Sequence, residues 1–536
     1  ELIVNNSNVS IPQGGIIGLR SGVGEVINSH FSATFNNSAI SGFALTGAES
    51  IKLSGTESLT ENIQLTFNNS TVSGVTTTDS NSVLNLNLNN SNWTTKAFTD
   101  EDGVVQTTSL TNLALNNGVV NLANDNYQGI IVRGNLTGSG TFNLNTNIAE
   151  NKSDKIVVKG SAEGNHKIGV TNQGANVANG KVTLVETNGG NAAFSLTNPN
   201  NRVDLGAYQY FLTKEGNNWV LANSKNAVTP TSPVAPVTPS KPVVTPNKPV
   251  VTSTAPVLPS TPLLSDLANA QVSLRQAQLL LVEGDLSGIH QRLGEVKNGE
   301  KGNVWVRNVN SRQKLGALST GESETSGFKQ NVHSVQVGAD AAVTDNLRLG
   351  GFVGRSQANV DFNGDYGDGK VRSNSVGLYA AYLADNGIYV DNIVKYSRLH
   401  ANSNYTEKRH YNAYTISSEL GKRFSLVNDW TITPQAQLAW THISSQENED
   451  SLSSVYSRIG LRVAKGFALS NGWNLQPYAE VNAITSKNRS SKIHYTNSAL
   501  DVASSRGRFE SAVGLNAGFA NHRFGLEVSR ADGKNF

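Results

Sequence analysis

The chain has 536 residues, a formal net charge of +2, 16% charged residues and neither Cys nor Met. That length exceeds one ordinary domain, no disulfide can staple it, and the near-neutral charge gives no general pull toward nucleic acid. No apolar run approaches the ~18 to 20 residues of a membrane helix, so any membrane insertion has to rest on strands. The chain opens at Glu1 without a signal-like stretch, which predicts a fragment or a processed form.

Residues 1–117 repeat a short phrase: Val4-Asn5-Asn6-Ser7, Phe35-Asn36-Asn37-Ser38, Phe67-Asn68-Asn69-Ser70, Leu88-Asn89-Asn90-Ser91 and Leu115-Asn116-Asn117-Gly118. Each places an apolar strand residue before an Asn pair that tolerates left-handed backbone and can pair in ladders. This predicts a right-handed parallel β-helix, with an Asn-rich loop-and-sandwich region as the alternative. The Asn-x-Ser/Thr triplets arise by chance in such a composition and carry no weight. The nine His residues are scattered, outside any His-Glu-x-x-His or Cys/His cluster, so no metal is expected. No Gly-x-Ser-x-Gly elbow, Gly-Asp-Ser-Gly phrase or P-loop occurs, so neither a catalytic residue nor a cofactor is assigned. A triad converging in space would escape such a search.

Residues 118–225 become more specific. Ile130-Ile131-Val132-Arg133-Gly134-Asn135-Leu136 and Ser153 to Gly160 lead to Gly206-Ala207-Tyr208-Gln209-Tyr210 and Asn218-Trp219-Val220-Leu221. In these phrases and their order the segment resembles the C-terminal cap of a pertactin-type autotransporter (type V secretion) passenger. The resemblance implies an autochaperone, a folding seed built around Gly206, Tyr208, Tyr210 and Trp219. Independently, a solenoid end exposes an unpaired apolar cross-section that an aromatic-rich unit can seal.

Ten of the fourteen prolines lie between Pro230 and Pro262. Their spacing predicts a polyproline II tether over 226–262, with a proline-motif ligand as the alternative. In 263–300 the period changes: Leu263, Leu267, Ala270, Leu274, Ala277, Val282 and Leu286 fall near helical spacing, with Ser265 placed to cap. Asp266, Arg275, Glu283, Asp285, Arg292 and Glu295 make this helix too polar for lipid and suited to a polar lumen; an ordinary packing helix is the alternative.

From 301 to 536 strands alternate strictly. Trp430, Ile432, Pro434, Ala436, Leu438 and Trp440 oppose Thr431, Thr433, Gln435 and Gln437, and similar sets recur around Val376, Ile459, Val481 and Val513. Short Asn/Asp/Gly turns at Asp345, Asp385, Asn428, Asn471 and Asn521 alternate with longer polar loops at 314–327, 361–369, 401–411, 445–453 and 486–505. Short turns on one rim and long loops on the other describe a transmembrane β-barrel, with a soluble barrel or sandwich as the alternative.

Val304-Trp305-Val306-Arg307, Leu347 to Gly354 and Gln476-Pro477-Tyr478-Ala479-Glu480 resemble the autotransporter translocator domain across 300 to 530. The resemblance implies a twelve-stranded barrel holding one helix, with barrel-assembly machinery and periplasmic chaperones as partners. The alternation itself supplies lumen-facing candidates: Arg307, Asp340, Asp391, Lys395, Glu419, Arg458, Arg462, Glu480 and Glu510, expected to solvate and charge-pair the helix. Eleven strands are counted, the last followed by the turn Ala531-Asp532-Gly533-Lys534, so the closing strand is expected to be missing by truncation. Some relatives cut themselves at a helix asparagine, for which Asn269 and Asn298 are the candidates, although neither sits in a matching phrase.

The sequence therefore predicts an all-β chain that anchors in a Gram-negative outer membrane, in contact with its lipid, and displays a β-helical passenger at the cell surface. The passenger would act as an adhesin toward a host-cell or matrix receptor, or by self-association, rather than as an enzyme. An upstream protease or hydrolase domain, and a porin-like channel, are the competing expectations.

Overall fold

A computed structural model describes residues 1–18, 28–49, 51–52, 58–122, 127–173, 180–198, 201–223, 263–295, 302–319, 324–495, 498–505 and 507–536. The expected tether at 226–262, the tail of the helical segment at 296–300 and with it Asn298 lie outside these residues. The chain forms two units, Glu1–Pro262 and Leu263–Phe536.

The first unit is a parallel solenoid whose turns are set by the Asn phrases. Strands Leu2–Asn5, Asn28–Asn36, Ser58–Asn68 and Val83–Asn89, followed by the first half of Asn112–Asn121, stack in register, so that Asn5, Asn36, Asn68, Asn89 and Asn116 are successive partners. The next residue of each phrase, Asn6, Asn37, Asn69, Asn90 or Asn117, has φ between 48° and 53°. Only Gly and, among side-chain residues, mainly Asn and Asp occupy this region readily. Beyond the turn the chain enters a second parallel stack that includes Ala39–Ala48, Thr71–Thr78 and Asn92–Thr94. A third runs through Thr108–Leu110, Ile130–Val132, Ile156–Val158 and Lys181–Thr187.

Unequal spacing does not disturb the turn. Asn36 donates to Asn5, Asn68 to Asn36 and Asn89 to Asn68, each at 2.8 Å, across separations of 31, 32 and 21 residues. Inside, Phe35 stacks on Phe67 at 5.0 Å, and Ile63, Leu84, Leu86 and Leu113 are sealed from water. Each such side chain contributes about 1.5–3 kcal/mol on burial.

The solenoid's last rung changes mode. Lys181–Thr187 pairs antiparallel with Asn218–Ala222, which pairs with Tyr208–Glu215, which pairs with Arg202–Leu205. This meander covers the parallel edge. Gly206 (φ 57°) turns the first hairpin, Tyr208 and Tyr210 are buried, and Trp219 packs edge-on to Phe194 at 5.6 Å.

The second unit is one antiparallel sheet of eleven long strands in chain order: β1 (Gly302–Leu315), β2 (Phe328–Ala342), β3 (Leu347–Phe362), β4 (Asp368–Leu383), β5 (Ile388–Ser403), β6 (Arg409–Lys422), β7 (Trp430–Ile443), β8 (Leu452–Lys465), β9 (Trp473–Asn488), β10 (Arg508–Phe519) and β11 (His522–Gly533). It curls around one helix, α1 (Asp266–Glu295). Leu286 and Ile289 of α1 share a buried cluster with Trp305, Phe352, Tyr379, Ile393, Ala439, Tyr456 and Ile484, which come from β1, β3, β4, β5, β7, β8 and β9. A helix that meets strands from both halves of the sheet lies inside the cylinder. Two loops are shorter than the sequence suggested, because the strands continue past their polar residues: β3 and β4 are joined by 363–367, and β5 and β6 by 404–408.

The outward rows decide between lipid and a second protein layer. Val304 is 81% exposed, Leu378 70% and Ile459 71%, so no protein covers them among the described residues. Among the described residues no helix is long and apolar enough to cross a membrane, and the exposed apolar strand rows are the surface that can face acyl chains. β1 and β11 both run from the short-turn rim to the long-loop rim, and they meet where Gly316 N donates to Asn535 O at 2.9 Å.

Toward the lumen, aromatic rings lie over glycines of the adjacent strand. Trp305 faces Gly338, Phe352 faces Gly377, Tyr379 faces Gly350, Tyr389 faces Gly421 and Tyr478 faces Gly514, each a direct cross-strand partner. A Cβ on any of these glycines would collide with the ring. The glycine supplies a slot and the aromatic covers the bare backbone.

Candidate functional site

The lumen is built from the helix outward. Ser265 Oγ accepts from Ala268 N at 3.1 Å, capping a helix whose polar and apolar residues are buried alike from Ala268 to Glu283. Its N-terminal end is held at the long-loop rim. Ser326 N donates to Asn269 Oδ1 at 2.9 Å, Tyr366 Oη donates to Leu264 O at 3.2 Å, and Arg275 Nη2 donates to Asp450 O at 2.7 Å with its guanidinium 5.0 Å above the Tyr411 ring. Asn269, a candidate for self-cleavage, is thus fully buried and hydrogen-bonded at that rim.

Deeper in the barrel the helix carboxylates meet hydroxyls. Asp285 accepts from Ser334 and Ser356 Oγ, both at 2.9 Å, and Glu283 accepts from Ser486 Oγ at 2.9 Å. Gln336 donates to the Asp285 carbonyl at 3.0 Å, and Lys395 Nζ to the Val282 carbonyl at 2.9 Å. A buried carboxylate needs such donors, since one left without them costs several kcal/mol.

Of the nine expected lumen charges, Asp340, Asp391, Lys395, Glu419 and Arg458 are buried, while Arg307, Arg462, Glu480 and Glu510 are half-buried on inward rows. Lys395 reaches the helix backbone. Arg458 instead binds the wall: it pairs with Glu419, lies 3.3 Å from Glu480, and donates to Gln437, Gln435 and Asn482 at 2.8 to 2.9 Å. Tyr389 Oη donates to Glu419 at 3.1 Å. Asp340 accepts from Arg348 at 2.7 Å and from Tyr379 at 2.5 Å, and Tyr379 accepts from Trp305 Nε1 at 2.8 Å. Arg462 stacks 3.8 Å from the Tyr478 ring centroid. The expected pairing of these charges with the helix is therefore largely replaced by cross-strand pairing within the wall.

The residues that sequence reasoning missed are short and neutral. Ser334, Ser356, Ser486 and Gln336 sit on inward rows that alternation identifies as polar, but nothing in the sequence marks them as helix contacts. His290 was missed as well: its Nε2 lies 2.7 Å from Ser417 Oγ, while its Nδ1 has no hydrogen-bond partner. Donor atoms of His290, Asp391 and Glu419 fall within 4.8 Å of one another, a set that could ligate a divalent cation, although Glu419 is already engaged by Arg458 and Tyr389.

Comparison with known proteins matches one family within each of the two units. Residues 304–529 match the family described as "Autotransporter beta-domain", and residues 105–223 match the family described as "Pertactin". The pertactin autotransporter of Bordetella bronchiseptica is 31% identical over 311 residues, covering 53% of this chain and 33% of that protein. The probable autotransporter YcgV of Escherichia coli K12 is 31% identical over 359 residues, 63% of this chain and 36% of that protein. The serine protease EspP of Escherichia coli is 27% identical over 304 residues, 49% and 22%. The chain thus spans about a third of the length of its more similar relatives. Among solved structures, the beta domain of the Bordetella autotransporter BrkA is 25% identical, covering 44% of this chain and 94% of that one, with a TM-score of 0.37.

Proposed function

We propose, since this chain is an autotransporter of the pertactin type with a translocator β-barrel and a pertactin-like passenger segment, that the barrel anchors it in the outer membrane and presents the solenoid at the cell surface as an adhesin. The orientation of α1 carries the display half of this reading. Its N-terminal end is fixed among the long loops by Asn269 and Arg275, so the chain before Leu263 joins the barrel from that rim. Long loops lie on the outer side of outer-membrane barrels.

The adhesin half rests on the solenoid's composition. Rung after rung offers stacked Asn, Ser and Thr side chains, a surface suited to extended contact, and no catalytic phrase is present in the 536 residues. Cells displaying the whole chain should adhere to host cells or matrix proteins, or settle by self-association, and cells displaying 224–536 alone should not. Equal adherence by the two would end the adhesin reading.

A second reading follows from the relative described as a serine protease. It would make the passenger part of an enzyme. Labelling of displayed protein by a fluorophosphonate probe would favour it, and unlabelled protein that still adheres would favour the adhesin.

A further inference from the structure

The outward face of β1 to β6 changes character along register rows. One row reads Val306, Val337, Val353, Val376, Tyr396 and Tyr414, all direct cross-strand partners. Two residues nearer the long-loop rim on each strand, the row becomes Asn308, Val335, Arg355, Asn374, Arg398 and Asn412. Beyond it lies an open groove of about 960 Å³. Its cationic lining is Arg312, Lys314, Lys329, Lys370, Arg372 and Lys408, with His400 beside them and only Asp361 and Asp368 as acids.

Six cations thus face two acids in this groove. Among the described residues none of them is in an ion pair, whereas Arg348, Arg409 and Arg458 of the same barrel all are. Six cations against two acids leave the groove net positive, and an anion binding among the cations relieves their mutual repulsion. The position limits what the anion can be. The groove opens on the outward side of the wall, and the largely polar row from Asn308 to Asn412 separates it from the apolar rows that face acyl chains, so a ligand with an anionic head, a polar sugar body and hydrocarbon tails matches the three levels in order.

We propose that this groove binds the phosphate-bearing headgroup of an outer-leaflet glycolipid, with the acyl chains lying along Val306, Val337, Val353 and Val376. The inference rests on the reading of the barrel as spanning an outer membrane with its long loops outward. Lys and Arg at a membrane surface attract anionic lipid, and several converging on one or two phosphates give a site rather than a diffuse attraction.

The test uses the full chain, purified and reconstituted into vesicles containing either a bis-phosphorylated, acylated glucosamine disaccharide or the same lipid without phosphate, followed by native mass spectrometry of the protein with retained lipid. The phosphorylated lipid should be retained at least tenfold more than the dephosphorylated one. Lys329→Gln/Lys370→Gln/Arg372→Gln should abolish that preference, and Lys487→Gln/Arg489→Gln, outward-facing on another part of the wall, should keep it. Equal retention of the two lipids, an unaffected triple variant, or displacement of the lipid by inorganic phosphate at equal concentration would each overturn the proposal. Protease protection in the same vesicles separates the two levels: a chain that inserts without lipid preference defeats the lipid site alone, and a chain that does not insert defeats the membrane reading beneath it.

Discussion

Asp285, on the luminal helix, accepts a 2.9 Å hydrogen bond from Ser356 Oγ on β3, and Ser334 on β2 supplies a second of equal length to the other carboxylate oxygen. Two hydroxyls from neighbouring strands thus hold one buried charge. Removing the donors and keeping the charge should be worse than removing the charge, because an unsatisfied buried carboxylate keeps its full desolvation cost. We expect Ser334→Ala/Ser356→Ala to destabilise the seated helix by about 2–4 kcal/mol and Asp285→Ala by less. In planar bilayers the serine double variant should show frequent open events and the wild type few. Conductance traces that cannot be told apart would remove the helix from the role of plug.

Tyr389 illustrates a second dependence. Its ring lies over Gly421 while its hydroxyl donates to Glu419, so a methyl group at 421 has to push the ring away and break that bond. Overpacking of this kind costs about 1–3 kcal/mol. Gly421→Ala should lower the thermal midpoint of the barrel, and adding Tyr389→Ala should cost less than the two single changes summed. Strict additivity in that cycle would show that ring and slot do not interact.

The barrel was readable because a period of two writes the face of each residue directly into the chain. Val376 and Leu378, or Ile459 and Leu461, could be assigned outward with no knowledge of a partner. Partners were harder to read. Arg458 on β8 pairs with Glu419 on β6, crossing an intervening strand, and that depends on register and side-chain reach rather than on sequence spacing. Likewise Ser334 and Ser356 resemble many other inward serines, and only the azimuth of α1 makes them donors to Asp285. The solenoid turn was legible for the opposite reason: Asn at a left-handed position leaves a local mark that needs no distant residue.

Within the solenoid, the two asparagines of one phrase should behave differently. Asn68 donates to Asn36 and accepts from Asn89, so Asn68→Ala breaks two ladder bonds and should cost about 1–3 kcal/mol. Asn69 has φ 48° and makes its contribution through the backbone, so Asn69→Gly should be nearly neutral and Asn69→Val should cost about 1–2 kcal/mol from left-handed strain. Urea unfolding followed through Trp93, buried in the adjoining stack of the same solenoid, would report both. If Asn69→Val were as mild as Asn69→Gly, the backbone account of these turns would be wrong.

Two buried groups give the solenoid opposing responses to acid. Burial pushes the Asp154 carboxyl up to about 6, despite the backbone hydrogen bonds from Asn145 and Gly129. Its folded form therefore takes up a proton before the unfolded chain does. This group's contribution grows as pH falls from above 6 toward 4, by up to about 3 kcal/mol. His166, packed between Phe142 and Phe194, is pushed down by burial, so the unfolded chain protonates first and stability is lost as pH falls below about 6.5. Asp154→Asn should leave only the histidine response, a solenoid that weakens steadily on acidification. His166→Phe should leave only the carboxyl response, one that strengthens between pH 6 and 4 relative to wild type. Urea midpoints measured from pH 4 to 7.5 on the wild type and both variants would decide the matter, and parallel curves for all three would mean that neither group titrates inside the fold.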